Sequence, residues 1–147
     1  MLDSLQISEQ DSVLDIGCGK GMFLYYAKRY PFRLISGIDL NAQLVSVARR
    51  NMSKLSDTRI DVWHCDARTF GAYDKYNIFF INNPFCKEVL CEVVNRIIDS
   101  QRQNMRRITV IYQFPYHLDV FAGLGFMIKA DDGVNVILER SVVFDDV

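Results

Sequence analysis

Two kinds of apolar pattern alternate along the chain, and together they predict an alternation of strands and helices. Short and nearly continuous apolar runs are typical of buried parallel strands, whereas apolar residues three or four positions apart mark one face of a helix. The clearest helical stretch has apolar pairs at positions 89–90, 93–94 and 97–98, with charged and amide residues between them. Alternation of this kind predicts a mostly parallel sheet with helices on both faces.

The boundaries of the predicted elements follow from these runs and from turn residues. Strands are expected at residues 12–16, 33–38, 59–64, 76–81, 107–112, 126–130 and 134–144. Helices are expected at residues 22–30, at 42–55 behind an Asn41 N-cap, around 87–98, and as a short helix from Pro115 to about Leu124. The last two strands flank Asp-Asp-Gly and form an antiparallel hairpin. We therefore predict a doubly wound α/β fold with a seven-stranded sheet.

Length, net charge and cysteine content limit which kinds of protein and of binding partner the sequence is compatible with. A length of 147 residues favours one domain. A net charge of -1 gives no overall attraction to nucleic acid or anionic lipid, so it argues against a nucleic-acid partner, although a local patch can survive a neutral total. No apolar run is long enough for a membrane span, and the first residues do not resemble a signal peptide. The cysteines form no CxxC pair, which favours reduced thiols, a cytoplasmic location and no metal site.

Polar residues follow the predicted strands at one edge of the sheet. Ligands of doubly wound sheets bind outside the carboxyl ends of the strands, so the residues after each strand are the candidate site. In chain order they are Asp15 with Gly17, Gly19 and Gly21, then Asp39, then Asp66, then residues 82–85, and finally His117.

Each of these residues has a chemical role that its side chain can perform. Asp39 lies about 20 residues beyond the glycine turn, where an acid can bond both hydroxyls of a ribose. Asp66 can accept a hydrogen bond from the exocyclic amine of adenine, and the amide of Ala67 can bond a ring nitrogen. Asn82 offers oxygen acceptors to a substrate N–H, and Phe85 offers an apolar face to a planar group.

Four segments resemble the motifs of the class I S-adenosylmethionine-dependent methyltransferases. They are VLDIGCGKG at 13–21, GIDL at 37–40, HCDA at 64–67 and INNPF at 81–85. The resemblance implies a Rossmann-like fold over residues 1–147, as a single domain without an N-terminal lid. Asn83 replaces the first proline of the Asn-Pro-Pro-Tyr/Phe motif found in amine-directed members. The resemblance thus implies the cofactor, S-adenosylmethionine, and leaves the methyl acceptor open.

The resemblance also implies roles for individual residues. The glycines would line the methionine part of the cofactor with Asp15 near its ammonium group, Asp39 would hold the ribose, and Asp66 and Ala67 would contact the adenine. The full cofactor-binding set is Asp15, Gly17, Cys18, Gly19, Gly21, Asp39, Leu40, Asp66, Ala67 and Asn82. Asn82, Pro84 and Phe85 would face the acceptor, and His117 is the candidate base if the acceptor must first lose a proton.

Three other interpretations remain at this point. A nicotinamide-dependent oxidoreductase also uses Gly-x-Gly and a later acid, but Asp15 would repel a pyrophosphate and the spacing is Gly-x-Gly-x-Gly. A cofactor-binding module or partner subunit without catalysis of its own is a second interpretation. A nucleic-acid adenine methyltransferase is a third, with the base against Phe85. The expected acceptor is a small molecule or a protein, and a homodimer or partner protein is expected to cover the acceptor edge.

Overall fold

A seven-stranded sheet forms the centre of the molecule. The structure, a computed structural model, describes residues 1–82 and 85–142. Its strands are β1 (Ser12–Ile16), β2 (Leu34–Asp39), β3 (Ile60–His64), β4 (Ile78–Asn82), β5 (Ile108–Gln113), β6 (Met127–Asp131) and β7 (Asn135–Arg140). Its α-helices are α1 (Met22–Ala27), α2 (Ala42–Ser53) and α3 (Lys87–Gln103), and short 3-10 turns lie at Leu2–Ser4, Tyr73–Lys75 and Leu118–Phe121.

The strand order confirms the predicted doubly wound topology. The strands lie in the order β3-β2-β1-β4-β5-β7-β6. The first five are parallel, while β7 runs antiparallel to β5 and β6 antiparallel to β7. The order reverses between β1 and β4, and a crevice at such a reversal is where ligands of these folds bind. The terminal hairpin therefore forms the antiparallel edge that the sequence predicts.

Two apolar layers cover the sheet. One core joins α1 and α2 to the sheet through Leu24 and Val45, and Leu2 of the first turn also packs into it. The other core joins α3 and the two later 3-10 turns to the opposite face through Leu90 and Phe121. We call the surface formed by residues 16–60 around α1 and α2 the α1–α2 face. Asn41 caps α2 as predicted, since its side chain accepts hydrogen bonds from the amides of residues 43 and 44.

The prediction of a helix over residues 115–124 is wrong. Only the 3-10 turn Leu118–Phe121 forms there. The amide of Phe114 donates to the carbonyl of Val134 at 2.7 Å, and Phe114 has a positive φ of 51°. This tie to the hairpin redirects the chain after β5, and Gly123, with a φ of 73°, redirects it again. Between the two bends the chain forms i→i−3 hydrogen bonds, such as that from the amide of Val120 to the carbonyl of His117, which are those of a 3-10 turn.

Two other predicted elements are shorter in the structure by three or more residues. The helix predicted at 22–30 ends at Ala27, four residues before Pro31, because the chain must turn there to begin β2. The last strand, predicted to reach residue 144, ends at Arg140, and residues 143–144 of the prediction lie outside the described residues.

Candidate functional site

The turn after β1 is fixed to the end of β2 by backbone hydrogen bonds. The amides of Gly17 and Cys18 both donate to the carbonyl of Ile38, at 2.9 and 3.0 Å. Gly19 follows with a φ of 54°, a conformation that glycine adopts without strain, and a Cβ built there would meet no atom within 4 Å. The turn therefore leaves open space in front of Gly19.

Gly37 allows the turn to lie this close to β2. A Cβ at this position would be 2.7 Å from the Cβ of Cys18 and 3.0 Å from a methyl group of Leu24. Gly21 supports the turn in a similar way, because a Cβ there would lie 3.2 Å from the terminal methyl of Met52 in α2. Gly21 thus packs toward α2, while Gly17 and Gly19 border open space.

Asp15 is a buried acid on the central strand β1. Among residues 1–82 and 85–142 its carboxyl group has no hydrogen-bond partner, and it lines a cavity. Burial raises the pKa of this carboxyl well above its usual range, and the nearby charge of Asp39 raises it further. Burial likewise raises the pKa of the Cys18 thiol to about 12. An acid of this kind is stabilised by a cation that enters the cavity.

Asp39 ends β2 and connects the glycine turn to the start of α2. Its Oδ2 accepts from the amide of Gly19 at 2.9 Å, and its Oδ1 accepts from the amide of Asn41 at 2.8 Å. Each carboxylate oxygen has a second lone pair, so both can still accept hydrogen bonds from a ligand. Leu40 is exposed beside it, and its carbonyl lies 3.0 Å from Nε2 of His64.

Asp66 and Ala67 follow β3 on the same edge. Arg68 pairs with the Asp66 carboxylate at 2.8 Å, and its hydrogen bonds lower the pKa of that carboxyl. The carbonyl of Ala67 accepts from the hydroxyl of Tyr73 at 2.8 Å. The amide of Ala67 donates to no atom of the described chain, so it is available to a ring nitrogen.

Two cavities meet at the glycine turn. The smaller, of about 300 Å³, brings Asp39, Leu40, Asp66, Ala67 and Phe85 together with Gly17. The larger, of about 710 Å³, also touches Gly17 and is lined by Asp15, Cys18, Asn82 and Gln113, by Phe23, Tyr26 and Arg29 of the α1 region, and by Met1 to Asp3. The predicted cofactor residues are thus divided between two cavities, with Asp15 and Cys18 in the larger and Asp39, Leu40, Asp66 and Ala67 in the smaller.

Three predicted acceptor residues have different positions relative to these cavities. Asn82, exposed at the end of β4, lines the larger cavity. Phe85 lines the smaller one, among the residues predicted to contact adenine. His117 is half-buried and lines neither of the two, and its amide lies 3.4 Å from the hydroxyl of Tyr112. The predicted site residue Pro84 lies outside the described residues.

The sequence analysis missed several residues of the larger cavity. Gln113 ends β5 opposite Asn82 in the strand register, so two amide side chains stand at the mouth of this cavity. A polar residue that ends an otherwise apolar strand is a signal that could have identified Gln113. Tyr26 and Arg29 gave no such signal, since their pattern is that of an ordinary exposed helix end.

The donors and acceptors of this arrangement fit S-adenosylmethionine. The cofactor carries a cationic amino acid part, a ribose and an adenine. Within its described residues the chain presents a buried acid without a partner, a carboxylate with free acceptor capacity, and an unpaired amide beside a second acid. Asp15 would repel a pyrophosphate in the same place.

Comparison with known proteins identifies the family. The chain matches the methyltransferase domain family over residues 13–107, which is more than half of its length. The chain therefore belongs to this family, as a class I S-adenosylmethionine-dependent methyltransferase domain with the Rossmann-like fold. The match runs from the second residue of β1 to the residue before β5 and includes every residue that lines the smaller cavity.

Three similar proteins illustrate the range of this family. The tRNA1(Val) (adenine(37)-N6)-methyltransferase of Flavobacteriaceae bacterium (strain 3519-10) is 31% identical over 81 residues, which cover 54% of this chain and 35% of that protein. A probable cobalt-precorrin-6B C(15)-methyltransferase (decarboxylating) of Methanococcus vannielii is 28% identical over 110 residues, covering 74% and 57%. A SAM-dependent methyltransferase structure from Aquifex aeolicus has a TM-score of 0.70 and 16% identity, covering 97% and 87%.

These comparisons bear on the substrate only indirectly. The chain spans about a third of the first curated relative and just over half of the second. The first relative is named for a tRNA adenine, which differs from the expectation, drawn from the net charge of -1, that a nucleic-acid partner is unlikely. None of the helices in the part of the chain that the structure describes is long and apolar enough to cross a membrane.

Proposed function

We propose that this chain transfers a methyl group from S-adenosylmethionine to a nitrogen nucleophile, an amine of an acceptor that is still to be identified. The observation that carries the proposal is the pair of cavities that share Gly17, with Asp15 in one and Asp39, Asp66 and Ala67 in the other. When bound, the cofactor supplies an electrophilic methyl group on a sulfonium centre.

The residues of the smaller cavity would hold the adenosine part. Asp39 accepts hydrogen bonds from the ribose hydroxyls with the lone pairs that Gly19 and Asn41 leave free. The Ala67 amide bonds a ring nitrogen, and Phe85 packs against the base plane. Asp66 shares its carboxylate between Arg68 and the exocyclic amine.

The residues of the larger cavity would hold the amino acid part and the acceptor. Asp15 pairs with the cofactor ammonium, which compensates the burial of its charge. Asn82 and Gln113 stand side by side in register and offer amide oxygens to an amine N–H. Orientation of this kind would direct the nitrogen lone pair at the methyl group without a protein base. The S–CH3 bond would break as the N–CH3 bond forms, which would leave S-adenosylhomocysteine, and the methylated nitrogen would release its extra proton to water. The proposed mechanism therefore assigns no proton transfer to His117.

A labelled-methyl transfer screen tests the proposal. Wild-type protein and Asn82→Ala are incubated with labelled cofactor and with small amines, nucleosides or lysate fractions. We expect transfer to an amine-bearing acceptor by the wild type, and a fall in kcat of roughly tenfold or more for Asn82→Ala, with unchanged affinity for S-adenosylhomocysteine. Transfer exclusively to oxygen or carbon acceptors, or none in any fraction, would contradict the proposal.

We also propose a cytoplasmic location. All four cysteines are free thiols, which supports a reducing compartment. Coverage of the acceptor edge by a second copy or by another protein stays a prediction, and the mass of the protein in solution, alone and in lysate, is the measurement that checks it.

A further inference from the structure

The net charge of -1 conceals a strongly basic region of the chain. Residues 16–60, which include α1, β2 and α2, contain eight Lys and Arg residues against two Asp residues. The acidic excess lies in the rest of the chain. Six of these eight cations lie in α1, in α2 or within two residues of their ends, and the two helices cover the same side of the sheet, so most of the positive charge of this region is on the α1–α2 face. Asp61, at the start of β3, adds one carboxylate beside Arg49.

The cations of this face are largely unpaired. Asp57 pairs with Arg59 at 2.7 Å, and Asp39 is occupied by backbone amides at the turn. The other basic residues of the region form no ion pair within residues 1–82 and 85–142; they are Lys20, Lys28, Arg29, Arg33, Arg49, Arg50 and Lys54. Elsewhere in the described chain, Arg68, Lys87, Arg102 and Lys129 each pair with a carboxylate.

Two contacts bring the basic parts of α1 and α2 together. The side-chain amide of Asn51 donates to the carbonyl of Lys20 at 3.1 Å, and the ammonium of Lys28 donates to the carbonyl of Leu55 at 3.4 Å. The second half of α2 therefore lies alongside α1. Arg50 is an exposed residue of that half of α2, next in the chain to Asn51.

Exposed aromatic side chains lie between these cations. Met22 is 73% exposed, and Tyr25 and Tyr26 are each 47% exposed on α1. The two tyrosine rings are 5.8 Å apart, and the guanidinium of Arg29 is 5.3 Å from the centre of the Tyr26 ring. Aromatic rings interleaved with cations are the pattern that binds single-stranded nucleic acid, since the bases stack and the phosphates pair.

A membrane surface fits these observations less well. Insertion into an interface requires a helix that turns an apolar face outward. Three apolar side chains of α1, Phe23, Leu24 and Ala27, are buried in the core, so that Met22 is the one apolar side chain that this helix exposes. The exposed tyrosines carry hydroxyl groups, which suit stacking on a base at a wet surface better than burial among acyl chains.

The basic surface is continuous with the larger cavity. Lys20, Tyr26 and Arg29 line that cavity together with Asn82. Asp3 is the exposed carboxylate on the same lining, and it accepts a hydrogen bond from the hydroxyl of Tyr30 at 2.6 Å. A strand that lies along α1 would therefore reach the position where the acceptor is held.

We propose that the α1–α2 face binds a single-stranded nucleic acid and presents one of its bases to the larger cavity. The phosphates lie along the unpaired Lys and Arg side chains, and bases stack on Tyr25 and Tyr26. This inference deepens the proposed function by naming the class of acceptor, and only its last step, methylation of the presented base, rests on that function. It replaces the expectation drawn from net charge, because the charge is unevenly distributed over the chain.

Fluorescence anisotropy without cofactor tests the surface. Labelled single strands of RNA and of DNA, each of about 20 nucleotides, are titrated with the wild type, with Arg29→Glu/Arg50→Glu and with Lys75→Glu/Arg107→Glu. The last pair is the matched control, because both residues are exposed, unpaired within the described chain and outside the α1–α2 face, and the change in net charge is the same.

We expect the wild type to bind a single strand with an affinity that falls as salt rises. Arg29→Glu/Arg50→Glu should weaken binding by at least tenfold and flatten the salt dependence, by about 0.7 in logarithmic slope for each phosphate that is no longer neutralised. The control should change affinity less than threefold. Tyr25→Ala should weaken binding by roughly fivefold or more, because a base can no longer stack there. The difference in affinity between the RNA and the DNA strand shows whether the surface prefers ribose or deoxyribose.

Several outcomes would overturn the proposal. These are no binding to either strand, equal losses of affinity in the two charge-reversal pairs, or preferential binding to vesicles with anionic headgroups. Thermal unfolding of each variant checks that it is folded. Nucleic-acid binding without methyl transfer would refute the proposed function and leave this surface standing. Cofactor binding and methyl transfer without nucleic-acid binding would refute the nucleic-acid surface and leave the proposed function standing.

Discussion

Asp15 is a buried acid without a partner in the described chain, so it weakens the folded state until a cation reaches it. Its folded pKa lies above the usual value of 3.8, so the wild type loses stability as pH rises from that value through the folded pKa. Asn does not titrate, and Asp15→Asn should therefore be more stable than the wild type at about pH 8 and lose that advantage near about pH 4. Urea unfolding without ligand at both pH values measures this. A variant less stable at the higher pH would contradict the account.

The same substitution should weaken cofactor binding. In the wild type, affinity for S-adenosylmethionine should rise with pH as Asp15 ionises, because the carboxylate form pairs with the ammonium group. Asp15→Asn should bind roughly ten- to a hundredfold more weakly with a flatter pH profile, since a charge-assisted hydrogen bond contributes about 1.5–3 kcal/mol. Calorimetric titration across the pH range provides the test. Profiles with the same slope would show that Asp15 does not contact the cofactor.

Asp39 joins the glycine turn to the proposed ribose site. We expect Asp39→Ala to lower cofactor affinity by about ten- to a hundredfold, because alanine can accept hydrogen bonds neither from the ribose nor from the Gly19 amide. Asp39→Asn is the matched control, since its amide oxygen can still accept from Asn41 or from one ribose hydroxyl, and it should show a smaller decrease. Calorimetry with S-adenosylhomocysteine measures both. Wild-type affinity in the alanine variant would exclude Asp39 as the ribose ligand.

Phe85 is predicted from the sequence to face the acceptor, but it lies with Asp66 and Ala67 in the smaller cavity. Phe85→Ala should therefore raise the dissociation constant of S-adenosylhomocysteine by roughly tenfold, whereas Phe85→Leu, which keeps an apolar contact, should change it less. Binding and steady-state rates are compared for both variants. A fall in kcat with unchanged cofactor affinity would return Phe85 to the acceptor site.

The turn between β1 and α1 depends on two glycines for different reasons. Gly19→Ala meets no atom, so it should cost only about 1–2 kcal/mol of stability from the left-handed backbone, yet it places a methyl group in the open space of the proposed cofactor site. Gly37→Ala forces a contact of 2.7 Å on Cys18 and should cost about 3 kcal/mol in unfolding free energy. The free energy of unfolding and the cofactor affinity, measured for both variants, distinguish the roles of Gly19 and Gly37. Equal decreases in stability would contradict this assignment.

The elements of this fold differ in how readily the sequence reveals them. The inner parallel strands β1, β2, β4 and β5 are predicted within two residues of their observed ends, because a strand buried on both faces must be largely apolar. The helix expected at 115–124 does not form because the amide of Phe114 bonds to Val134, a contact between distant parts of the chain that local pattern does not contain. Likewise, the sequence places the site residues at one edge, but only packing divides them between two cavities.

At the scale of the whole molecule, the distribution of charge is more informative about binding to polyanions than the net charge. A net charge of -1 suggests no electrostatic attraction to polyanions, while residues 16–60 carry an excess of cations beside the larger cavity. Sequence reasoning from the total misses this, because only the fold places α1 and α2 on one side of the sheet. The proposed cofactor site and the basic surface thus share the larger cavity.

Calorimetric titration of the protein with S-adenosylhomocysteine and with NAD tests the central claim, that the cavities at Gly17 form a site for a sulfonium cofactor and its product. We expect one-to-one binding of S-adenosylhomocysteine, weakened in Asp39→Ala, and no heat from NAD. Binding of NAD with no binding of S-adenosylhomocysteine would contradict it.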